Sequence, residues 1–311
     1  MSILVAADFT PEEWRVWWPA LQAALPGERL LRERGAVPAA DIDVALVANP
    51  PIGALQGLPA LALIQSLWAG VDRLLQDGTV PPKVPLARMV DPVMNRAMAE
   101  TALWAVLSLQ RGFFTYAAQQ QRHQWLQQRQ WRAAECCVAV LGLGQMGRAT
   151  AQRLASNGYR VLGWSTRPSE IDGVSTDSGA AALPRVLGAA NIVVNLLPLT
   201  AATRGLFDAG TLALLPRGAC LVNLARGAQV VDADLIAALD SGRLRHAVLD
   251  VFVTEPLPAG HAFWSHPRVT VLPHVAALTD AVSACAVVAR NVQALRRGEA
   301  LEFVVDRDRG Y

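Results

Sequence analysis

A valine-rich run that breaks on three spaced glycines constrains this chain more than any other feature. Cys136-Cys137-Val138-Ala139-Val140-Leu141 leads into Gly142-Leu143-Gly144-Gln145-Met146-Gly147. The short apolar run reads as a buried parallel strand. Arg148 to Asn157 then carries alanine and leucine at helical spacing, and Gly158 stands where a helix-ending glycine belongs. Strand, glycine turn and helix together form a dinucleotide-binding fingerprint. Gly142 permits the tight turn, Gly144 lets the backbone approach a pyrophosphate, and Gly147 packs the helix on the strand. Free amides and partial positive charge at the helix N-terminus suit the phosphates. A glycine turn alone occurs in any α/β protein; the strand before it and the helix after it favour the nucleotide.

Tyr159-Arg160-Val161-Leu162-Gly163-Trp164 reads as the next strand, whose end meets the adenosine ribose in this architecture. An acid there accepts the 2′-hydroxyl of NAD. Here the strand ends in Ser165-Thr166-Arg167 without a carboxylate. Two hydroxyls and a guanidinium suit a 2′-phosphate that a carboxylate repels. The expected cofactor is NADPH, with NADH weaker; the alternative is a solvated turn whose arginine touches nothing.

At 311 residues the chain is long for one core and fits two domains. With 52% hydrophobic and 17% charged residues it has enough apolar material for both cores. A net charge of +2 with scattered arginines disfavours nucleic acid as a partner. Cys136, Cys137, Cys220 and Cys285 lack metal-binding spacing and read as reduced core thiols. Met1 to Val5 lacks the basic start of a signal peptide, and no apolar run reaches membrane-spanning length. A cytoplasmic protein is expected.

Ile3–Ala7, Asp43–Ala48, Leu61–Leu67 and Leu86–Val90 read as strands of a first parallel α/β domain. Thr10-Pro11-Glu12-Glu13 opens a helix toward Leu25, with Trp14, Trp17 and Trp18 as a core stripe. A long helix opens at Asn95-Arg96, with Met98, Ala102, Ala105, Val106 and Leu109 along one side. Gln119 to Arg132 is glutamine-rich but carries Trp125, Leu126 and Trp131. It reads as an arm or second helix covering a partner subunit, against a solvated helix with its tryptophans folded home. The second domain continues through strands at Asn191–Leu197, Ala219–Leu224, Arg245–Asp250 and Val269–Leu272 and a helix at Asp232–Leu239. Thr279–Arg297 has the length and spacing of a helix that returns to the first domain.

Three polar residues stand directly after predicted strands of the second domain: Arg226, Glu255 and His274. Open α/β sheets bind ligands beyond the carboxyl ends of their strands, so all three are placed to meet in one crevice. Taken singly, each has a plainer explanation: a surface ion pair, a turn cap before Pro256, a satisfied core histidine.

Three blocks carry a resemblance: Asn223-Leu224-Ala225-Arg226-Gly227, Leu249-Asp250-Val251-Phe252 with Glu255-Pro256-Leu257-Pro258, and Leu272-Pro273-His274-Val275-Ala276. Together they resemble the signature blocks of the D-isomer-specific 2-hydroxyacid dehydrogenases. The closing Val305–Tyr311 and the Trp-Ser-Thr-Arg turn are similar to the glyoxylate/hydroxypyruvate reductase A group of that family. The resemblance implies two Rossmann-like domains with parallel sheets. A discontinuous, flavodoxin-like substrate-binding domain would span 1–95 and 281–311, and a dinucleotide-binding domain 96–280. It implies that Arg226 binds the 2-oxo acid, His274 donates the proton and Glu255 is its partner. Gln145, Met146, Leu197, Pro198, Leu224, Ala225 and Asp250 would line the cofactor beside the glycines and Ser165–Arg167. Backbone amides around Trp68-Ala69-Gly70 would hold the substrate carboxylate, and a homodimer is implied.

Hydride delivery to a 2-oxo acid leaves negative charge on the carbonyl oxygen, which a guanidinium and an imidazolium stabilise where water is excluded. No metal is needed. The expected reaction reduces glyoxylate or hydroxypyruvate with NADPH to the 2-hydroxy acid. The chain departs from the family at Trp68, where the substrate loop commonly carries glycine. A tryptophan there either narrows the pocket or folds into the domain core. The alternatives are a reductase for a larger 2-oxo acid and a non-catalytic NAD(P)H-sensing protein.

Overall fold

Alternating apolar runs and amphipathic segments build two parallel sheets, one in each of two compact units. The computed structural model describes all 311 residues. One unit comprises Met1–Met94 with Thr279–Tyr311, the other Asn95–Leu278.

The first unit starts with β1 (Ser2–Ala7), α1 (Pro11–Ala24), β2 (Arg29–Leu31) and β3 (Ile42–Ala48). β4 (Leu63–Ser66), α2 (Asp72–Gln76) and β5 (Leu86–Ala87) follow. Its sheet runs β2-β1-β3-β4-β5 with every pair parallel, the flavodoxin-like order. α1 starts where Thr10 and Glu13 cap each other: Thr10 Oγ1 accepts from the Glu13 amide at 3.2 Å, and Glu13 accepts from the Thr10 amide at 2.8 Å. The tryptophan stripe is only partly core. Trp17 is buried, whereas Trp14 and Trp18 are half-buried beneath the Arg32 guanidinium, 4.6 and 4.4 Å from their ring centres. β5 stops well short of Val90. Beyond Ala87 the amides of Arg88 and Met89 turn to the carbonyls of Phe303 and Trp68.

The chain leaves through α3 (Pro92–Arg111), which starts at Pro92 and not at Asn95 because Asp91 Oδ1 accepts the Val93 amide at 2.9 Å. α4 (Phe113–Gln121), β6 (Cys137–Leu141), α5 (Gln145–Ser156), β7 (Arg160–Ser165) and β8 (Ser175–Ser178) follow. Then come α6 (Leu183–Ala189), β9 (Ile192–Asn195), α7 (Ala209–Leu214), β10 (Ala219–Asn223), α8 (Asp232–Asp240), β11 (Leu244–Leu249) and β12 (Val269–Val271). The second sheet, parallel throughout, runs β12-β11-β10-β9-β6-β7-β8, so the strand order reverses between β9 and β6. A ligand crevice lies beyond the strand ends at such a reversal. All five residues of β6 are fully buried. Burying one aliphatic side chain contributes about 1.5–3 kcal/mol, against about 0–1 kcal/mol for an exposed ion pair. The sheet faces therefore hold this unit, not its surface charges.

Past Gln121 the glutamine-rich segment is neither a helix nor folded home. Residues 122–132 run as turn and extended chain with Trp125 93% exposed. At the near end the amides of Arg122, His123 and Gln124 turn back to the carbonyls of Gln119 and Gln120, and at the far end the Gln128 amide donates to Tyr116 Oη at 2.9 Å and Arg111 Nε to Gln130 at 2.6 Å.

α9 (Ala281–Arg297) belongs to the first unit. Asp280 caps its start, and Asn291, fully buried, donates to Gln65 of β4 at 2.6 Å. Arg296 in its last turn pairs with Glu28 at 2.9 Å and with the buried Asp43. No helix of the chain is long and apolar enough to cross a membrane. All four cysteines are buried and free.

Candidate active site

The glycine loop divides its labour by space. A Cβ on Gly142, at φ +94°, would lie 2.6 Å from the Leu196 carbonyl oxygen, and one on Gly147 only 1.7 Å from the Gly142 oxygen. Both glycines are required by the approach of backbone to backbone. Gly144 differs: a Cβ there meets nothing within 4 Å. It is exposed, sits at the cap of α5 and leaves room for a phosphate against the first-turn amides. Gln145 and Met146 form that first turn.

β7 ends without an acid. The Ser165 hydroxyl donates to the Arg167 carbonyl at 2.5 Å and closes the turn. Thr166 and Arg167 are exposed, and the Arg167 guanidinium has no protein partner. Serine, threonine and a free cation at this strand end fit a 2′-phosphate.

Beside the glycine loop, β9 and β10 each end in a buried asparagine, Asn195 and Asn223, paired in register. Asn195 Nδ2 donates to Asn223 Oδ1 at 2.9 Å and to Gln229 Oε1 at 2.7 Å. The loops these strands carry hang from the three amides. The Gln229 side chain donates to the carbonyls of Leu197 and Pro198, both at 3.1 Å, and Asn223 donates to the Arg226 carbonyl at 3.0 Å. Leu224 and Ala225 are buried below Arg226, whose Nη1 donates to the Ala225 carbonyl at 2.6 Å. Sequence reading missed this network. Its visible signal was an asparagine closing each of two otherwise apolar strands.

The loop after β12 carries His274 at φ +55°, left-handed backbone that costs a non-glycine residue about 1 kcal/mol or more. Asp250 holds it there. Its carbonyl accepts the His274 amide at 2.9 Å, and its buried carboxylate accepts the amides of Val275 at 2.8 Å and Ala276 at 3.0 Å. Burial pushes the Asp250 carboxyl above the usual range, against the pull of those amides. So disposed, His274 Nδ1 meets Glu255 Oε2 at 2.7 Å, while Glu255 Oε1 accepts the Phe252 amide at 2.9 Å. The bond to Glu255 raises the imidazole pKa over the opposing effects of burial and the Arg226 charge. Burial works to raise the Glu255 carboxyl, but His274 and the Phe252 amide bring it below its ordinary value. The result is a partly exposed imidazole that favours its cation, near enough to Arg226 to feel its charge.

In the first unit the loop after β4 holds Trp68, Ala69 and Gly70. The Trp68 ring packs edge-on to Trp17 at 5.6 Å and to Phe9 at 6.1 Å between centroids. Its amide takes Ser66 Oγ at 3.1 Å, and its carbonyl accepts from Ser66 Oγ at 2.9 Å and the Met89 amide at 3.1 Å. Trp68, half-buried, is thus anchored in its own domain at ring and backbone alike. The amides of Ala69 and Gly70 have no protein acceptor.

The sequence model of the D-isomer specific 2-hydroxyacid dehydrogenase NAD binding domain matches residues 103–276. Glyoxylate/hydroxypyruvate reductase A of Serratia proteamaculans is 40% identical over 310 residues, 97% of each chain. A D-isomer specific 2-hydroxyacid dehydrogenase from Xanthobacter autotrophicus Py2, solved with NADPH and MES, is similar at 40% identity and a TM-score of 0.95, covering 100% of this chain and 99% of that one. The NADPH-dependent glyoxylate/hydroxypyruvate reductase of Sinorhizobium meliloti, solved with NADP and sulfate, is similar at 36% identity and a TM-score of 0.93 over the whole of both chains.

Proposed function

Because the chain belongs to the D-isomer specific 2-hydroxyacid dehydrogenase family, we propose that it reduces small 2-oxo acids with NADPH, glyoxylate to glycolate and hydroxypyruvate to D-glycerate. The names of its relatives and the NADPH and NADP bound in two of them support this reading. The observation that carries the mechanism is the 2.7 Å bond from Glu255 to His274 with the imidazole pKa raised.

The residues fit the cofactor: open space over Gly144 for the pyrophosphate, and Ser165, Thr166 and the free Arg167 for a 2′-phosphate. Gln145, Met146, Leu197, Pro198, Leu224 and Ala225 would flank it, with Asp250 acting as anchor of the His274 loop. Bound there, the reduced nicotinamide supplies the hydride. The protein residues handle charge and proton. Arg226 has the donor geometry to take the carboxylate and carbonyl of the acid, and in the first unit the amides of Ala69 and Gly70, which have no protein acceptor, suit a carboxylate oxygen. As the C–H bond forms at carbon 2, negative charge grows on the carbonyl oxygen and His274 delivers its proton there. Glu255 then holds the neutral imidazole by Nδ1 until it is reprotonated from solvent. Trp68, packed on Phe9 and Trp17, would act by fixing the amide loop.

The test is oxidation of NADPH by a panel of 2-oxo acids. Turnover of glyoxylate and hydroxypyruvate supports the reading. A preference for bulkier acids moves the substrate, and NADPH binding without turnover of any acid would leave a cofactor-sensing protein. The exposed Trp125 and Leu126 fit a homodimer interface.

A further inference from the structure

The three buried amides between the cofactor loop and Arg226 have no part in the chemistry above, yet they hold both halves of it. Gln229 is fully buried and spends every hydrogen bond its side chain can make. Oε1 accepts from Asn195 Nδ2 at 2.7 Å and from the Arg226 amide at 3.2 Å, and Nε2 donates to the Leu197 and Pro198 carbonyls at 3.1 Å each. Arg226 is gripped from both sides of its main chain, because Asn223 Nδ2 holds its carbonyl at 3.0 Å. Asn195 closes the set by accepting the Leu197 amide at 3.3 Å.

From this geometry we infer that Gln229 is a positioning residue that sets the cofactor wall and the substrate-binding arginine together. The inference rests on the roles proposed above for Leu197, Pro198 and Arg226. A buried side chain with no spare donor or acceptor, as Gln229 is, has one low-energy arrangement, since any shift strands a buried polar group. Moving Leu197–Pro198 must therefore move Arg226. Cofactor affinity and oxo-acid KM are coupled through one side chain that touches neither molecule.

Two substitutions separate this from a merely structural role. Gln229→Met keeps the length and removes both donor and acceptor. It should raise the NADPH Kd, read by fluorescence titration, and the glyoxylate KM, each by about tenfold, the effect of one or two buried hydrogen bonds. Gln229→Glu adds a pH signature. A carboxyl buried there is held neutral at low pH, where its O–H still donates, and on ionising it repels the two carbonyls. Its Kd and KM relative to wild type should therefore be raised only modestly at pH 6, where one of the two donations is lost, and climb together toward pH 8.5. As control, Tyr159→Phe removes an equally buried 2.7 Å bond to Gln110 in the same unit. It should lower Tm without moving either constant. The inference falls if folded Gln229→Met keeps both constants, if only one moves, or if Gln229→Glu shows no pH-dependent ratio. It also falls if neither Gln229 variant folds, which would make the residue one of stability alone. Should wild type bind NADPH but reduce no 2-oxo acid, the reductase reading fails and the coupling to Arg226 with it, while a raised NADPH Kd in Gln229→Met would still assign Gln229 to the cofactor wall.

Discussion

Nδ1 of His274 lies 2.7 Å from Oε2 of Glu255, and the second oxygen of that carboxylate is anchored on the Phe252 amide. The glutamate thus sets the orientation of the imidazole and its charge together. The bond to Glu255 raises the His274 pKa, so the imidazolium persists to higher pH than that of a free imidazole and is lost as pH climbs through the raised value. For reduction, kcat should fall as pH climbs through the raised value, on the alkaline side of an ordinary imidazole. Glu255→Gln removes the charge, so the fall should move to lower pH. His274→Gln should cost about two to four orders of magnitude in kcat while NADPH still binds. A pH–rate profile with separate cofactor titration checks all three. Near-normal turnover of His274→Gln would assign the proton to another group.

The end of β7 makes a claim about cofactor choice. Arg167 is exposed and has no partner to leave when a 2′-phosphate arrives. NADPH should be favoured over NADH by a factor of tens to hundreds, the scale of about one or two charge-assisted bonds. Arg167→Ala should lose most of that factor and spare NADH. Equal kcat/KM for the two cofactors in wild type would overturn it.

The glycine loop allows a sharper dissection. At Gly144 the backbone has φ −67° and the space beside it is open, so Gly144→Ala should cost about 1 kcal/mol or less of stability. The added methyl stands where a phosphate must approach, and NADPH Kd should rise at least about tenfold. Gly147→Ala is the reverse case. Its Cβ would sit 1.7 Å from a backbone oxygen, so overpacking of about 1–3 kcal/mol or more should appear as lost Tm or insoluble protein. Calorimetry and fluorescence titration read the two effects. A Gly144→Ala variant that binds NADPH like wild type would move the phosphates elsewhere.

Much of this site was legible in the sequence because its signals are local. The strand before Gly142 is apolar at every position, and Arg226, Glu255 and His274 each follow a strand within a few residues. Short elements were not legible: β2, β8, α6 and α7 lack the length for a periodicity to develop. β5 read too long because Arg88 and Met89 look strand-like, yet their amides bond to Phe303 and Trp68, partners that only the fold brings near. The Asn195, Asn223 and Gln229 network escaped for the same reason. Each is an ordinary amide in the sequence, and only register puts the first two side by side.

Residues 122–132 predict an assembly. Trp125 is 93% exposed and Leu126 58%, apolar area that a second copy of the chain would cover. Light scattering should give a dimer mass. A Trp125→Ala, Leu126→Ala double variant should shift it toward monomer at low concentration. A monomer mass for wild type at working concentration would reject the interface.

Trp68 carries the last expectation. Its ring packs against Phe9 and Trp17, and Phe9 in turn stacks on Trp17 with centroids 5.5 Å apart. An aromatic pair adds about 0.5–1.5 kcal/mol beyond its buried area, and truncating such a ring costs about 3–5 kcal/mol in a core. Trp68 is only half-buried, so Trp68→Gly should fall near the lower end of that range and be plain in a denaturation curve. Its second effect should come through the loop. With the indole gone, the loop carrying the Ala69 and Gly70 amides keeps its backbone bonds to Ser66 and Met89 but loses its aromatic anchor, and KM should rise for every 2-oxo acid in proportion. A ring that instead narrowed the pocket would, on removal, favour larger acids over glyoxylate by about 1–3 kcal/mol. Trp68→Phe separates the two, since it keeps an aromatic edge against Trp17 while shrinking the side chain. It should recover most of the stability and most of the KM. A Trp68→Gly variant with unaltered Tm and a panel tilted toward bulky substrates would return Trp68 to the pocket wall.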